Sequence, residues 1–309
     1  MLVYKSSSTF KNVFSEPIVA IGNFDGVHLG HQEILSHIKK KAKEMGGLSV
    51  VYTFDPPPSR ILRPTVSVPQ IHSLEERLSL FENYGLDIAI IEPFTKNFSQ
   101  KSALQFFNEI ILHRLKAKYL YVGYNFFFGK DRQGTPELLQ EFCNAHNIEL
   151  HVIKPFKIKS KIVSSTKIRH LILLGHVQKA TFFLGRPYSI QGVVVQGSKR
   201  GEALGIPTAN LKTEAELIPK EGVYITKTEY QGKLYPSVTS VGRAPTFTNH
   251  SPVIIETHFL DVTLSLYRES LLLHFVKRLR DIKKFPTPEA LIKQIHKDIA
   301  KTRSFLVTQ

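Results

Sequence analysis

Cysteine is nearly absent from this chain. Cys143 is the single one among 309 residues, which excludes an internal disulfide framework and suits a reducing compartment. No apolar run approaches the ~18 residues that a membrane-spanning helix needs. The first eight residues, Met1-Leu-Val-Tyr-Lys-Ser-Ser-Ser8, lack the apolar core and small-residue cleavage site of a signal peptide. These absences lead us to expect a soluble cytoplasmic protein. Acidic residues are scarce, 26 against 41 lysines and arginines, and the net charge is +15 with a pI near 9.7. Such a balance calls for polyanionic partners. There is, however, no RNP-like aromatic motif, no paired Cys/His finger and no arginine-rich arm of the kind nucleic-acid binders use. The longest basic cluster, Lys39-Lys40-Lys41-Ala-Lys43, fits the solvent face of a helix, and nucleotide phosphates would explain a basic surface equally well. Internal repeats and low-complexity linkers are missing too, so any domain boundary has to be read from a change of pattern.

The residues that are present provide ample core: 42% are hydrophobic and 10% aromatic. In the first half, strand and helix patterns alternate. Strands are expected at 18–21, 48–54, 87–91, 119–123 and 149–153. Helices are expected after residue 29, from the capping box Ser73-Leu-Glu-Glu76 to near Gly85, over roughly 99–114, and from Thr135-Pro-Glu137. Strands separated by helices pair in parallel and present ligand sites at their carboxyl ends. Two short helices, about 165–174 and 177–184, follow. Five β-type runs then come at 188–195, 223–228, 234–239, 253–260 and 271–276, and a last helix opens at Thr287-Pro-Glu289. The expected architecture is α/β plus β. A Rossmann-like domain with a parallel sheet is expected over residues 1–185, and a small antiparallel β-barrel with a terminal helix over 186–309.

The most informative stretch is Gly22-Asn-Phe-Asp-Gly-Val-His-Leu-Gly-His31. It follows the strand 18–21 and precedes a helix whose apolar face is Ile34, Leu35, Ile38, Ala42 and Met45. A strand-to-helix turn offers unpaired N–H groups and the positive end of a helix dipole to phosphate. Gly22, Gly26 and Gly30 let the backbone approach a ligand, while His28 and His31 can donate hydrogen bonds to a phosphoryl group as its charge grows. These features read as nucleotidyl transfer, although zinc ligation or an ordinary loop is as compatible with His-x-x-His alone. Asn125, after the strand 119–123, can donate and accept hydrogen bonds at a nucleotide or flavin edge. Ser164-Ser-Thr-Lys-Ile-Arg169 places three hydroxyls at a helix start with Lys167 and Arg169 in its first turns. The segment reads equally as an anion site or as a plain cap with surface charges. In the second half, the loop with Gly197, Lys199, Arg200, Gly201 and Gly205 is flexible and basic. Thr208 and Asn210 alternate about Ala209, so in extended chain both point to one side, where they suit a hydrated Mg²⁺ and phosphate oxygens. Glu256 interrupts an apolar strand as a rim residue or a general base.

Taken in order, the segments 22–31, 54–56, 122–129, 164–169, 197–211, 222–224, 242–247, 255–261 and 279–285 resemble the bacterial bifunctional riboflavin kinase/FMN adenylyltransferase (FAD synthetase) family over nearly the whole chain. The resemblance implies ATP-dependent phosphorylation of riboflavin to FMN by the barrel. It then implies adenylyl transfer from ATP to FMN by the first domain, giving FAD and pyrophosphate. Glu256 matches the kinase base, Thr208 and Asn210 the Mg²⁺ ligands, and His28 and His31 the residues that stabilise charge in adenylyl transfer. ATP and phosphate contacts are implied at Gly22, Asn23, Phe24 and Gly30, at Ser164, Ser165, Thr166 and Arg169, and at Gly197, Lys199, Gly205 and Pro207. Flavin contacts are implied at Asn125 and Arg280. The partners are riboflavin, FMN and ATP; neither nucleic acid nor membrane is expected, and self-association is left open. The chain departs from the family pattern at Pro57, Phe127, Arg268 and Ile282, which motivates the competing reading of a one-activity enzyme. The other competitors are a basic nucleic-acid-binding protein and a metal role for the two histidines.

Overall fold

The computed structural model describes residues 1–10, 17–66, 68–197, 205–243, 253–262 and 264–307. By internal contacts the chain divides into two compact units, Met1–Ser165 and Thr166–Gln309.

The first unit is a doubly wound three-layer fold. Its strands are β1 (Leu2–Tyr4), β2 (Pro17–Ile21), β3 (Leu48–Phe54), β4 (Ile88–Glu92), β5 (Tyr119–Gly123) and β6 (Glu149–Ile153). They pair in parallel in the order β1-β4-β3-β2-β5-β6. The five residues of β2 are all buried, as expected of a central parallel strand covered on both faces. Alternate residues face different cores. Val19 and Ile21 pack with Phe107, Ile110, Ile111, Leu139 and Cys143, and Ile18 and Ala20 pack with Ile34, Leu35, Ile38 and Phe81.

Helix α1 (Leu29–Met45) buries Ile34, Leu35, Ile38 and Ala42 and stops at Gly46, whose φ of 63° suits a left-handed cap. Met45 is 40% exposed because the helix ends there. The prolines after β3 do more than stop it. Pro58 opens a short helix, α2 (Pro58–Leu62), with Pro57 as its N-cap. Helix α3 (Leu74–Asn83) has the full Ser73/Glu76 capping box. The helix expected over 99–114 is broken. It comprises α4 (Lys96–Ser99), α5 (Ala103–Phe106) with its own Ser102/Gln105 capping box, and a π-helical turn over Phe107–Arg114. The wider turn brings Phe107, Ile110 and Ile111 into the core together. Helix α6 (Pro136–Ala145) covers β6, and a two-stranded hairpin, β7 (Lys157–Ile158) and β8 (Lys161–Ile162), follows.

The second unit begins in α7 (Ser165–Leu173), continues through α8 (Val177–Leu184) and closes into a six-stranded antiparallel barrel. Its strands are β9 (Tyr188–Val195), β10 (Ala209–Lys212), β11 (Gly222–Tyr230), β12 (Lys233–Arg243), β13 (Val253–Phe259) and β14 (Ser270–Arg280), joined in the order β10-β13-β12-β11-β14-β9. Closure leaves no free sheet edge. Part of the interior is a chain of fully buried hydroxyls: Thr228–Ser237–Thr226–Thr239–Thr257, with O···O distances of 2.7 to 2.9 Å. Each hydroxyl finds its partner within the chain, which removes the cost of burying it. The terminal helix α9 (Pro288–Val307) lays Ile295 and Ile299 against Val223, Val238 and Leu260.

Candidate functional site

The histidine turn lies at the carboxyl end of β2, and its shape is fixed by several small devices. Phe24, Gly26 and Val27 have φ values of 50°, 84° and 37°, a left-handed course that a buried, β-branched Val27 takes only under strain. Three of the turn's carbonyls are held by side-chain donors. Asn23 O accepts from Arg77 Nη1 (2.8 Å) and Thr53 Oγ1 (3.2 Å), Asp25 O from Ser165 Oγ (2.9 Å), and Val27 O from Gln32 Nε2 (2.8 Å). Binding these negative ends of the peptide dipoles favours an anion at the turn. The Asp25 carboxylate accepts from Ile71 N (2.8 Å) and so ties the turn to the segment leading into α3.

His28 is the N-cap of α1: its Nδ1 accepts from His31 N at 3.3 Å. A neutral ring with an accepting Nδ1 carries its proton on Nε2. The two imidazoles stack at 3.6 Å between centroids and 15° between planes, and Phe24 meets His31 edge-on at 5.3 Å. Gly30 lies against this stack: a Cβ there would meet the His28 ring at 3.4 Å and Phe156 Cβ at 3.5 Å, ordinary van der Waals contact. A Cβ on Gly22 would reach the Phe24 ring at 3.2 Å. Among the described residues there is no group of three or more His, Cys, Asp or Glu that could hold a metal ion.

Arg77 is the functional residue that the motif reading missed. It is 1% exposed, and besides Asn23 O it reaches Thr53 Oγ1 (3.2 Å), Phe54 O (3.4 Å) and Asp55 (3.8 Å). It therefore bridges the histidine turn and the end of β3. Burial lowers its pKa from the ordinary guanidinium value, with Asp25 and Asp55 opposing that shift. The sequence held a signal: Arg77 shares a helical face with Leu74, Leu78 and Phe81, where a core residue belongs. Arg77→Met removes the guanidinium that donates to Asn23 O and Phe54 O and is expected to cost about 2–3 kcal/mol of stability in denaturant unfolding. It should also lower the adenylyl transfer that the resemblance implies far more than the implied riboflavin phosphorylation in the same sample. Equal loss of both would show that the clamp does not act on the turn.

Asn125 is exposed at the carboxyl edge, beyond β5. Phe127, where the family pattern has arginine, lies under the guanidinium of Arg132 at 4.2 Å, so a cation is still present at this loop. Ser165 is the first residue of α7, Thr166 is exposed, Ser164 and Arg169 are half-buried, and Lys167 lies 4.9 Å over the Phe183 ring.

In the barrel, strand pairing does what sequence distance conceals. Asn210 on β10 stands directly opposite Glu256 on β13, and Ser240 on β12 stands opposite Glu256 on its other side. Gly197 leaves the Asn210 amide its place, because a Cβ on it would meet that amide at 2.0 Å and push the side chain aside. Thr208 is exposed just before β10, and Pro207 O accepts from His258 Nδ1 at 2.8 Å. Gly205 has a φ of 73°. Lys199, Arg200 and Gly201 lie outside the described residues, as does Phe247. Arg280 stands apart from this group: its guanidinium forks onto the buried Asp298 of α9 at 2.8 and 2.9 Å. Ile282 and Asp281 line a cleft of about 500 Å³ with Arg243 and Glu221. A hydrogen bond from Arg278 (2.7 Å) holds the Asp281 carboxyl below its usual range.

Such geometry defines a class: a two-unit nucleotide-dependent transferase, one unit built on a parallel sheet and the other on a closed barrel. The FAD synthetase family matches residues 11–167 and the riboflavin kinase family residues 184–306. A bifunctional riboflavin kinase/FMN adenylyltransferase of Buchnera aphidicola is 32% identical over 99% of both chains. That of Listeria monocytogenes is 33% identical over 93% of this chain and 92% of its own. A crystal structure described as a macrolide-efflux protein from Streptococcus pneumoniae superposes with a TM-score of 0.89 at 30% identity, covering 98% of each chain. Among the described residues no helix is long and apolar enough to cross a membrane. The chain belongs to the bifunctional riboflavin kinase/FMN adenylyltransferase family.

Proposed function

We propose that residues 186–309 transfer the γ-phosphoryl group of ATP to the 5′-hydroxyl of riboflavin, and that residues 1–185 then join FMN to the adenylyl group of a second ATP, releasing pyrophosphate. Both activities of the family draw on ATP. The observation that carries the kinase reading is the Asn210–Glu256 juxtaposition across β10 and β13, with Gly197 making room for the amide. Glu256 takes the proton of the riboflavin hydroxyl as it attacks. The donor set beside it, the Thr208 hydroxyl and the Asn210 amide oxygen, consists of hard oxygens. It fits Mg²⁺, which keeps most of its shell as water and substrate phosphate and needs no all-protein cage. Bound there, Mg²⁺ would neutralise charge on the transferring phosphates.

In the adenylyl reaction, the FMN phosphate attacks the α-phosphorus and pyrophosphate leaves. His28 and His31 stabilise the growing charge through N–H donors held rigid by the cap and the stack. The tied-back carbonyls and the N-terminus of α1 add to the same field. Ser164, Ser165, Thr166 and Arg169 hold phosphates, and Asn125 meets the flavin. Neither transfer needs a covalent intermediate, since positioning and electrostatics carry such reactions. A cytoplasmic location fits these substrates.

Label transfer tests both positions of attack. With γ-labelled ATP and riboflavin, label is expected in FMN. With α-labelled ATP, it is expected in FAD and never in FMN. Absence of α-label from any flavin would remove the adenylyl step. Asn210→Ala is expected to raise the Mg²⁺ concentration at half-maximal kinase rate by about tenfold, the scale seen when a metal's supporting groups are lost. An unaltered Mg²⁺ titration would remove Asn210 from the metal.

A further inference from the structure

From residue 150 to residue 201 the chain has no aspartate or glutamate, yet it has ten lysines and arginines, most of the excess charge of the whole protein. Within the first unit this stretch builds the β7–β8 hairpin. Lys154, Lys157, Lys159 and Lys161 are all exposed, and none of them is paired with a carboxylate among the described residues. Lys159 and Ser160 form the tip with φ values of 45° and 64°, the left-handed pair of a tight two-residue turn. The base is closed by Val163 N donating to Phe156 O at 2.9 Å. The hairpin is fastened to the histidine turn on both sides. Phe156, just before it, packs on Gly30 between the two histidines, and Ser165, just after it, donates to Asp25 O.

We propose that this hairpin is a guide for polyphosphate: its lysines draw the triphosphate of ATP toward the histidine turn and speed its capture for adenylyl transfer. The inference rests on the adenylyl reading above. Its physical basis is that several unpaired cations at the rim of an anion site raise the local substrate concentration and the on-rate. The effect is strong at low ionic strength and is screened by salt, because the Debye length shrinks to about 3 Å at 1 M. The lysines touch no reacting atom, so they act on capture and leave the chemical step alone.

The test is K157Q/K159Q/K161Q in the full-length protein, assayed from FMN and ATP at low and high KCl. A second triple variant, K40Q/K43Q/K118Q, removes the same charge elsewhere on the unit. For the hairpin variant, kcat/KM for ATP in FAD formation is expected to fall about five- to tenfold at low salt with kcat unchanged. The deficit should vanish at high salt. Riboflavin phosphorylation by the same sample should keep its kcat/KM, and the second triple variant should lose less than twofold. Equal values for hairpin variant and parent at low salt would overturn the proposal, as would equal losses in both triple variants. A loss of RNA retention with intact ATP kinetics would also overturn it, and would assign the lysines to nucleic acid. If the unmodified protein forms no FAD, the adenylyl reading itself fails. Titration of inorganic pyrophosphate into parent and hairpin variant then decides the hairpin's affinity: weaker binding by the variant supports it, equal binding overturns it.

Discussion

Glu256→Gln is expected to abolish FMN formation, by at least about a hundredfold in kcat, while FAD formation from supplied FMN continues at the parent rate. The magnitude is that of a positioned general base in a proton-transfer step. Glutamine keeps the shape and hydrogen-bonding length of glutamate, so the strand pairing of Asn210 with Glu256 and of Glu256 with Ser240 survives. What is lost is the ability to take a proton from the riboflavin hydroxyl. His28 and His31 belong to a different compact unit from Glu256, which is why one activity should fall alone. A kinase rate unchanged in this variant would remove Glu256 as the base. Loss of both activities would mean that the two reactions share a step.

The second large effect concerns His28. In His28→Ala, FAD formation from FMN is expected to fall by about 10²- to 10³-fold, the range for removing a preorganised donor to developing charge, while FMN formation persists. Two changes combine. The Nε2 donor disappears, and α1 loses the side chain that caps it through His31 N, a contribution of about 1 kcal/mol. Loss of the stack also frees the His31 ring to move. His28→Asn separates these contributions, because asparagine restores a cap acceptor without an imidazole. It should recover stability and leave the rate low. Equal loss of FAD and FMN formation in His28→Ala would undo the assignment of His28 to adenylyl transfer alone.

Much of this arrangement is legible in the chain itself, for reasons that can be named. The β2 run is apolar on both faces because it is the central parallel strand, and α1 declares itself through Ile34, Leu35, Ile38 and Ala42. Strand β1 shows no such pattern. It is a three-residue edge strand that, among the described residues, pairs only with β4, too short for periodicity to register. The β7–β8 hairpin is obscured because its alternation is lysine and isoleucine with both faces largely exposed, so no buried face marks it. The expected helix over 99–114 contains the right residues, but a capping box inside it and a π-turn after it divide what composition alone joins.

The sites divide in the same way. Local motifs locate the His28/His31 turn because every element of it is contiguous in sequence. The facing of Asn210 and Glu256 depends on the register of two strands distant in the chain, which spacing does not encode. Arg77 was visible as a charge on an apolar helix face, but its target, Asn23 O, appears only when α3 docks. Arg280 shows the reverse. A basic residue near the kinase motifs invites a ligand role, and the fold gives it a buried carboxylate, Asp298, instead. A flavin contact by Arg280 would therefore have to use the part of the guanidinium that the Asp298 fork leaves over.

The most direct measurement is chromatographic separation of flavins over time from two incubations of the purified protein with ATP and Mg²⁺, one started from riboflavin and one from FMN. FMN that appears first and then gives way to FAD in the riboflavin tube, with FAD alone in the FMN tube, is the predicted result. FMN that accumulates without FAD would contradict the adenylyl half, and Pro57 and Phe127 would be the first residues to restore. FAD from FMN with no product from riboflavin would contradict the kinase half and point to Arg268 and Ile282. No conversion in either tube would contradict the account as a whole.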